Sequence, residues 1–169
     1  AVGTPDRPAD LISAGRIPAQ KAEELTTMNT NKKLNMTMLC DFYELTMGNR
    51  YFKAGYKDRI THFDLFFRSV PDNGGYAIAA GLEQVIEYIQ DLHFDPEDIA
   101  YLRGRKIFDE DFLDYLANFK FTGDIFAIPE GTPVFPNEPI LTVRAPAIQA
   151  QLLETYLLLT INHQSLIAT

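Results

Sequence analysis

Tryptophan is absent from this 169-residue chain, cysteine occurs once and histidine three times. A single cysteine, Cys40, excludes an intrachain disulfide and a cysteine-built zinc site. His62, His93 and His163 have none of the spacings by which ligands converge on a metal. Set between Leu39 and Asp41, Cys40 reads as a small buried residue and not as a nucleophile. Cationic side chains are also scarce, with 15 Lys and Arg against 23 Asp and Glu and a net charge of −8. A nucleic-acid surface needs clustered Lys and Arg, so that class is excluded. A small anion is not excluded, because two local cations can hold it inside an acidic protein. No apolar run approaches the ~20 residues that span a bilayer. The longest near the C-terminus is 156–161, bracketed by Glu154, Asn162, His163 and Gln164. The N-terminus has no basic stretch leading into an apolar one, so it is no secretory signal. A reducing, cytoplasmic setting is the expectation.

What is present is a globular composition, 46% hydrophobic and 22% charged, with twelve Phe and eight Tyr to fill a core. The length suits one ordinary domain. Residues 1–35 differ from the rest, being rich in Ala, Pro, Thr, Asn and charge, and read as a flexible leader or arm. Residues 36–145 read as an α+β domain. Asp41 stands at a helix N-cap with Glu44 at capping-box spacing, and Gly55 stops that helix. Alternation over Thr61–Arg68 predicts a strand, with Phe66 suggesting that both faces are covered. Residues 71–75 (PDNGG) form a turn signal, followed by a helix from Leu82 to Leu92. Asp95-Pro96 opens another helix, and Asp109–Phe119 is amphipathic. The segment 121–144 switches to short strands separated by Pro and Gly. From Pro146 a long helix runs to Thr169, apolar around most of its circumference and without a stop signal. The expectation is that the chain is cut, or is one piece of a larger assembly.

Two local constellations carry chemistry. Leu39–Met47 (LCDFYELTM) places a carboxylate, Asp41, and a phenol, Tyr43, at a helix start. Phe63–Arg68 (FDLFFR) ends an apolar strand on a guanidinium, where a long cation is poorly served unless it meets an anion. Each has a plainer structural reading: Tyr43 as a core tyrosine, Asp41 as a cap and nothing more, Arg68 as a surface residue paired with Asp72. Gly74-Gly75 matches no phosphate-loop pattern and reads as a tight turn.

Together with 74–83 (GGYAIAAGLE), 129–141 (PEGTPVFPNEPIL), 143–146 (VRAP) and 151–169 (QLLETYLLLTINHQSLIAT), these motifs resemble the N-terminal part of nicotinate phosphoribosyltransferases. Those enzymes join nicotinate to phosphoribosyl pyrophosphate in NAD biosynthesis. The resemblance covers roughly residues 36–169. It implies the N-terminal α+β domain of the nicotinate/quinolinate phosphoribosyltransferase type, with a small barrel-sandwich-like β segment and the C-terminal α/β barrel absent. It also implies ATP coupling through a phosphorylated histidine beyond Thr169, Mg2+ with phosphoribosyl pyrophosphate and ATP, no covalent cofactor, and a homodimer whose subunits share each site. In such a site Tyr43 lies against the pyridine ring, Arg68 reaches phosphate, and Asp41 orders Tyr43 or approaches the ribose. His163 is an interface residue in this reading.

The alternatives are a nicotinamide or quinolinate phosphoribosyltransferase, or a non-catalytic binding or structural fragment. Quinolinate carries a second carboxylate and calls for extra basic residues, which the segment does not show. A biotinyl or lipoyl carrier needs a lysine at a hairpin tip, and no lysine lies between Phe121 and Val143.

Overall fold

Alternating polar and apolar residues from His62 to Leu65 predict a strand, and β1 forms over Ile60–Leu65 in the computed structural model, which describes residues 34–169. The expected leader, apart from its last two residues, lies outside the described residues. The order is α1 (Phe42–Lys53), β1, a 3-10 turn at Pro71–Asn73, β2 (Ala77–Ile78), α2 (Leu82–Asp91), α3 (Pro96–Gly104) and α4 (Glu110–Ala117). Then come β3 (Asp124–Ala127), β4 (Pro133–Val134), β5 (Leu141–Pro146), α5 (Ala147–Gln151) and α6 (Glu154–Ala168). This is the expected mixture of helices and strands, and the described residues contain no α/β barrel.

β5 is the central strand, antiparallel to β1 on one side and β3 on the other. Val143 faces both Phe63 and Ile125 in register, and Leu141 faces Leu65 and Ala127. A separate two-stranded sheet pairs β2 with β4. The β-rich segment 121–144 is therefore completed by strands from earlier in the chain.

Three expectations change in detail. The strand stops at Leu65 instead of Arg68, because its backbone partners change. Leu65 and Phe67 carbonyls accept from Ile140 and Asn137 N–H at 2.8 and 2.7 Å, so a turn and not a strand lies alongside. Phe66, expected to be covered, is 39% exposed. The C-terminal helix is two helices, α5 and α6, interrupted at Leu152–Leu153. Pro146 both ends β5 and stands at the N-cap of α5. All of α5 is buried, and its glutamines are spent on polar contacts. The Gln149 side-chain carbonyl accepts from Thr122 N–H at 2.8 Å, and the Gln151 amide donates to Glu154 at 3.0 Å. The interruption lets Glu154 and Thr155 begin a new helix.

The core centres on α4, whose Phe112, Leu113 and Leu116 are fully buried with Leu45, Leu102, Leu141, Ile148 and Leu153. Phe112 meets Phe52 edge-on at 5.9 Å and lies 6.1 Å from Phe108. Each such side chain contributes about 1.5–3 kcal/mol by leaving water. Elsewhere Asp95 and Asp98 form a reciprocal capping box before α3, with Pro96 in its first turn.

The 74–83 and 129–131 motifs meet in space. The Glu130 carboxylate accepts from the N–H groups of Gly81 and Leu82 at 2.6 and 2.7 Å, so a side chain from a distant loop satisfies the start of α2. Gly81 caps this helix at φ 98°, and a Cβ there would stand 3.1 Å from Gln164 Cβ and 3.2 Å from the Thr160 carbonyl. Both the dihedral and the contact forbid a side chain. Gly81→Ala should lose about 1–3 kcal/mol in urea denaturation, against less than about 0.5 for Gly75→Ala, which points a Cβ into open space. Equal losses would show that neither constraint operates.

Candidate functional site

The start of α1 is built differently from a capping box. Asp41 occupies the N-cap with extended backbone, but its side chain makes no cap hydrogen bond. Glu44 turns inward, is 0% exposed, and its Oε1 accepts from the Thr155 hydroxyl at 2.5 Å and the Thr155 N–H at 3.2 Å. The same hydroxyl accepts from the Asp41 N–H at 3.1 Å. Thr155, from the first turn of α6, thus closes the circuit that a capping box would close within one helix. The second Glu44 oxygen, Oε2, is buried without a hydrogen-bond partner, as is the Tyr88 hydroxyl.

Burial pushes the Glu44 carboxyl up to about 7, opposed by the Thr155 donors and reinforced by nearby Glu154. Burial, with Glu44 and Asp41 nearby, raises the half-buried Cys40 thiol to about 12. Cys40 therefore stays protonated and is no nucleophile.

Tyr43 follows Phe42 on the first turn and is 42% exposed. Its phenol is raised by partial desolvation and by a hydrogen bond to the Glu154 carboxylate, so it remains a neutral donor. Adjacent residues of α1, Tyr43 and Glu44, thereby meet adjacent residues of α6, Glu154 and Thr155. Glu154 also lines a cleft of about 420 Å³ between α6 and the sheet, with His62, Asp64, Leu141, Val143 and Leu157 among its walls. Asp64 accepts from Thr142 at 2.6 Å across the strands. The cleft lining includes no Lys or Arg, so these walls alone cannot neutralise a phosphate. Nor is any group of His, Cys, Asp or Glu among the described residues arranged to hold a metal ion.

Arg68 is exposed, and the expected pairing with Asp72 is not among the ion pairs of the described residues. Its backbone is nevertheless anchored through the carbonyl of neighbouring Phe67, whose ring is buried. Neither Tyr43, Asp41 nor Arg68 lines the cleft. Tyr43 borders it through Glu154. His163 is exposed on α6. The residues that sequence reasoning missed are Thr155, Glu154 and Glu130. Their signal was the presence of acidic or hydroxyl groups inside otherwise apolar motifs.

Residues 38–162 match the family described as the nicotinate phosphoribosyltransferase (NAPRTase) N-terminal domain. The chain is 44% identical over 132 residues to a nicotinate phosphoribosyltransferase of Mycobacterium tuberculosis, an alignment covering 78% of this chain and 28% of that protein. Against the Bacillus subtilis nicotinate phosphoribosyltransferase it is 42% identical over 135 residues, covering 80% and 28%. The crystal structure of human nicotinic acid phosphoribosyltransferase superposes with a TM-score of 0.72 at 34% identity, over 76% of this chain and 26% of that one. The chain belongs to the nicotinate phosphoribosyltransferase N-terminal domain family, and it spans about a quarter of the length of these relatives.

The buried carboxyl makes stability pH-dependent in a defined direction. Between about 4.5 and 7 the folded chain holds a proton on Glu44 that the unfolded chain has released, so this group's contribution is full below 4.5 and declines as pH rises. The loss amounts to about 3 kcal/mol at most. Urea denaturation across pH 4.5–8 should show that slope in the wild type, and a flatter profile in Glu44→Gln by up to this amount. Parallel profiles would contradict the assignment.

Proposed function

We propose that this chain supplies the ring-binding and phosphate-contacting face of a nicotinate phosphoribosyltransferase. The relatives carry that name, and the observation that supports the role most directly is Tyr43. Its ring is exposed, yet it stands on a helix start anchored by hydrogen bonds to α6. A rigid exposed aromatic is suited to stack on a flat ring, an arrangement worth about 0.5–1.5 kcal/mol beyond burial. Arg68, an exposed cation on an anchored backbone, suits bidentate contact with phosphate. Asp41, whose side chain makes no cap bond, is free to order Tyr43 or approach a ribose hydroxyl.

The reaction is attack of the nicotinate ring nitrogen on the anomeric carbon of phosphoribosyl pyrophosphate, with pyrophosphate as leaving group. The products are nicotinate mononucleotide and pyrophosphate, a step of NAD biosynthesis. Orientation of the ring and stabilisation of developing charge would carry the acceleration. With Arg68 as the single cation of this face, the site is completed by groups outside the described residues, in a homodimer whose subunits share it. ATP coupling through a phosphorylated histidine, and Mg2+ beside the pyrophosphate, belong to those groups, and this chain alone is inactive. A cytoplasmic location accords with such a role. Quinolinate is the poorer substrate on chemical grounds, since its second carboxylate calls for basic residues beyond Arg68.

In an enzyme of the relatives' length carrying this sequence, Tyr43→Ala should lower kcat/KM for nicotinate about 10- to 100-fold, the loss of one stacked and buried ring. Tyr43→Phe should retain most of it, and Arg68→Ala should act chiefly on the KM for phosphoribosyl pyrophosphate. Unchanged nicotinate kinetics in Tyr43→Ala would remove Tyr43 from the site.

A further inference from the structure

Glu44 is the one fully buried charged residue among those described, and the reaction outlined above makes no use of it. Its surroundings are unusual for a carboxyl. Oε1 receives both Thr155 donors, Oε2 receives none, and no Lys or Arg forms an ion pair with it among the described residues. The groups that face it are acidic or neutral: Cys40 and Asp41 from the segment before α1, Tyr88 from α2, and Glu154 and Thr155 from α6. Tyr88 is itself held by stacking on Tyr156 at 3.7 Å between ring centroids. An ionised Glu44 therefore sits beside the Glu154 carboxylate with one buried oxygen that no protein donor reaches, which is costly unless water enters. The neutral acid removes that charge and keeps Oε1 as the acceptor of both Thr155 donors. Tyr43 is its sequence neighbour, on the same helical turn and hydrogen-bonded to the residue next to Thr155.

We propose that Glu44 is a proton-linked positioning residue for Tyr43. As the neutral acid it holds the first turn of α1 closed against Thr155. When the O–H bond breaks and the proton passes to water, the joint hydrates and the Tyr43 ring loses its fixed place. The functional consequence rests on Tyr43 being the ring-binding residue, but the linkage itself does not.

The test is NMR on the 169-residue chain with 13C-labelled glutamate carboxyls and tyrosine rings, assigned with Glu44→Gln and Tyr43→Phe. The Tyr43 ring signals should titrate with the Glu44 carboxyl at one shared midpoint, between pH 5 and 8, while those of Tyr101 on α3 stay constant. In Glu44→Gln the Tyr43 titration should vanish. Thr155→Val removes the hydroxyl that favours the charged carboxyl, and should move both midpoints upward together by about one unit. If Glu44→Gln fails to fold, Thr155→Val carries the test. A Tyr43 ring insensitive to pH, a titration that survives Glu44→Gln, or midpoints that separate in Thr155→Val would each overturn the proposal. None of these readouts depends on nicotinate, so failure here is distinct from failure of the Tyr43 kinetics.

Discussion

The hydroxyl of Thr155 accepts from the Asp41 N–H and donates to the Glu44 carboxyl, joining the first turn of α1 to the first turn of α6 across more than a hundred residues of sequence. Two helix starts meet there, each with unsatisfied N–H groups and the positive end of a macrodipole. That accounts for Asp41, Glu44 and Glu154 gathering at one place without an ion pair among the described residues. The carboxylates complement the helix ends, and the hydroxyl supplies the donor that a buried carboxyl cannot do without. The placement of Tyr43 follows from this joint, since its backbone belongs to the turn being held.

The same logic recurs at the start of α2, where Glu130 serves the N–H groups of Gly81 and Leu82 from a distant loop. In both places a helix is capped by another element instead of by its own residues. The sequence motifs are thus halves of tertiary contacts. Residues 39–47 meet 151–156, 79–82 meet 129–132, and the strand ending in Leu65 lies along 141–146. Side chains exposed at these junctions, Tyr43 and Arg68, sit on or beside backbone held by long-range hydrogen bonds.

Local chemistry made most helices legible. Asp95-Pro96 and Asp109 mark their starts as capping rules predict, and the apolar face of α4 is the core that its spacing implies. The strand pairing was not legible, because neither β1 beside β5 nor β2 beside β4 is a neighbour in sequence. Glu44 shows the limit most clearly. Three residues after Asp41 it has the spacing of a capping-box acid, and only the presence of Thr155 draws it inward. The break at Leu152–Leu153 was hidden for a similar reason, since both residues are good helix formers and burial of α5 decides the geometry. Of the candidate site, Tyr43 and Arg68 could be named from motif resemblance, whereas the hydrogen bonds that hold their surroundings could not.

A double-mutant cycle between Glu44 and Thr155 tests the central joint most directly. Glu44→Gln, Thr155→Val and the double variant would be compared by urea denaturation at pH 5, where the carboxyl is neutral. A coupling energy of about 1 kcal/mol or more is expected for a buried carboxyl and a half-buried hydroxyl sharing a hydrogen bond. Additive losses, with coupling near zero, would mean that α1 is held to α6 by apolar packing alone and that the joint does not exist in solution.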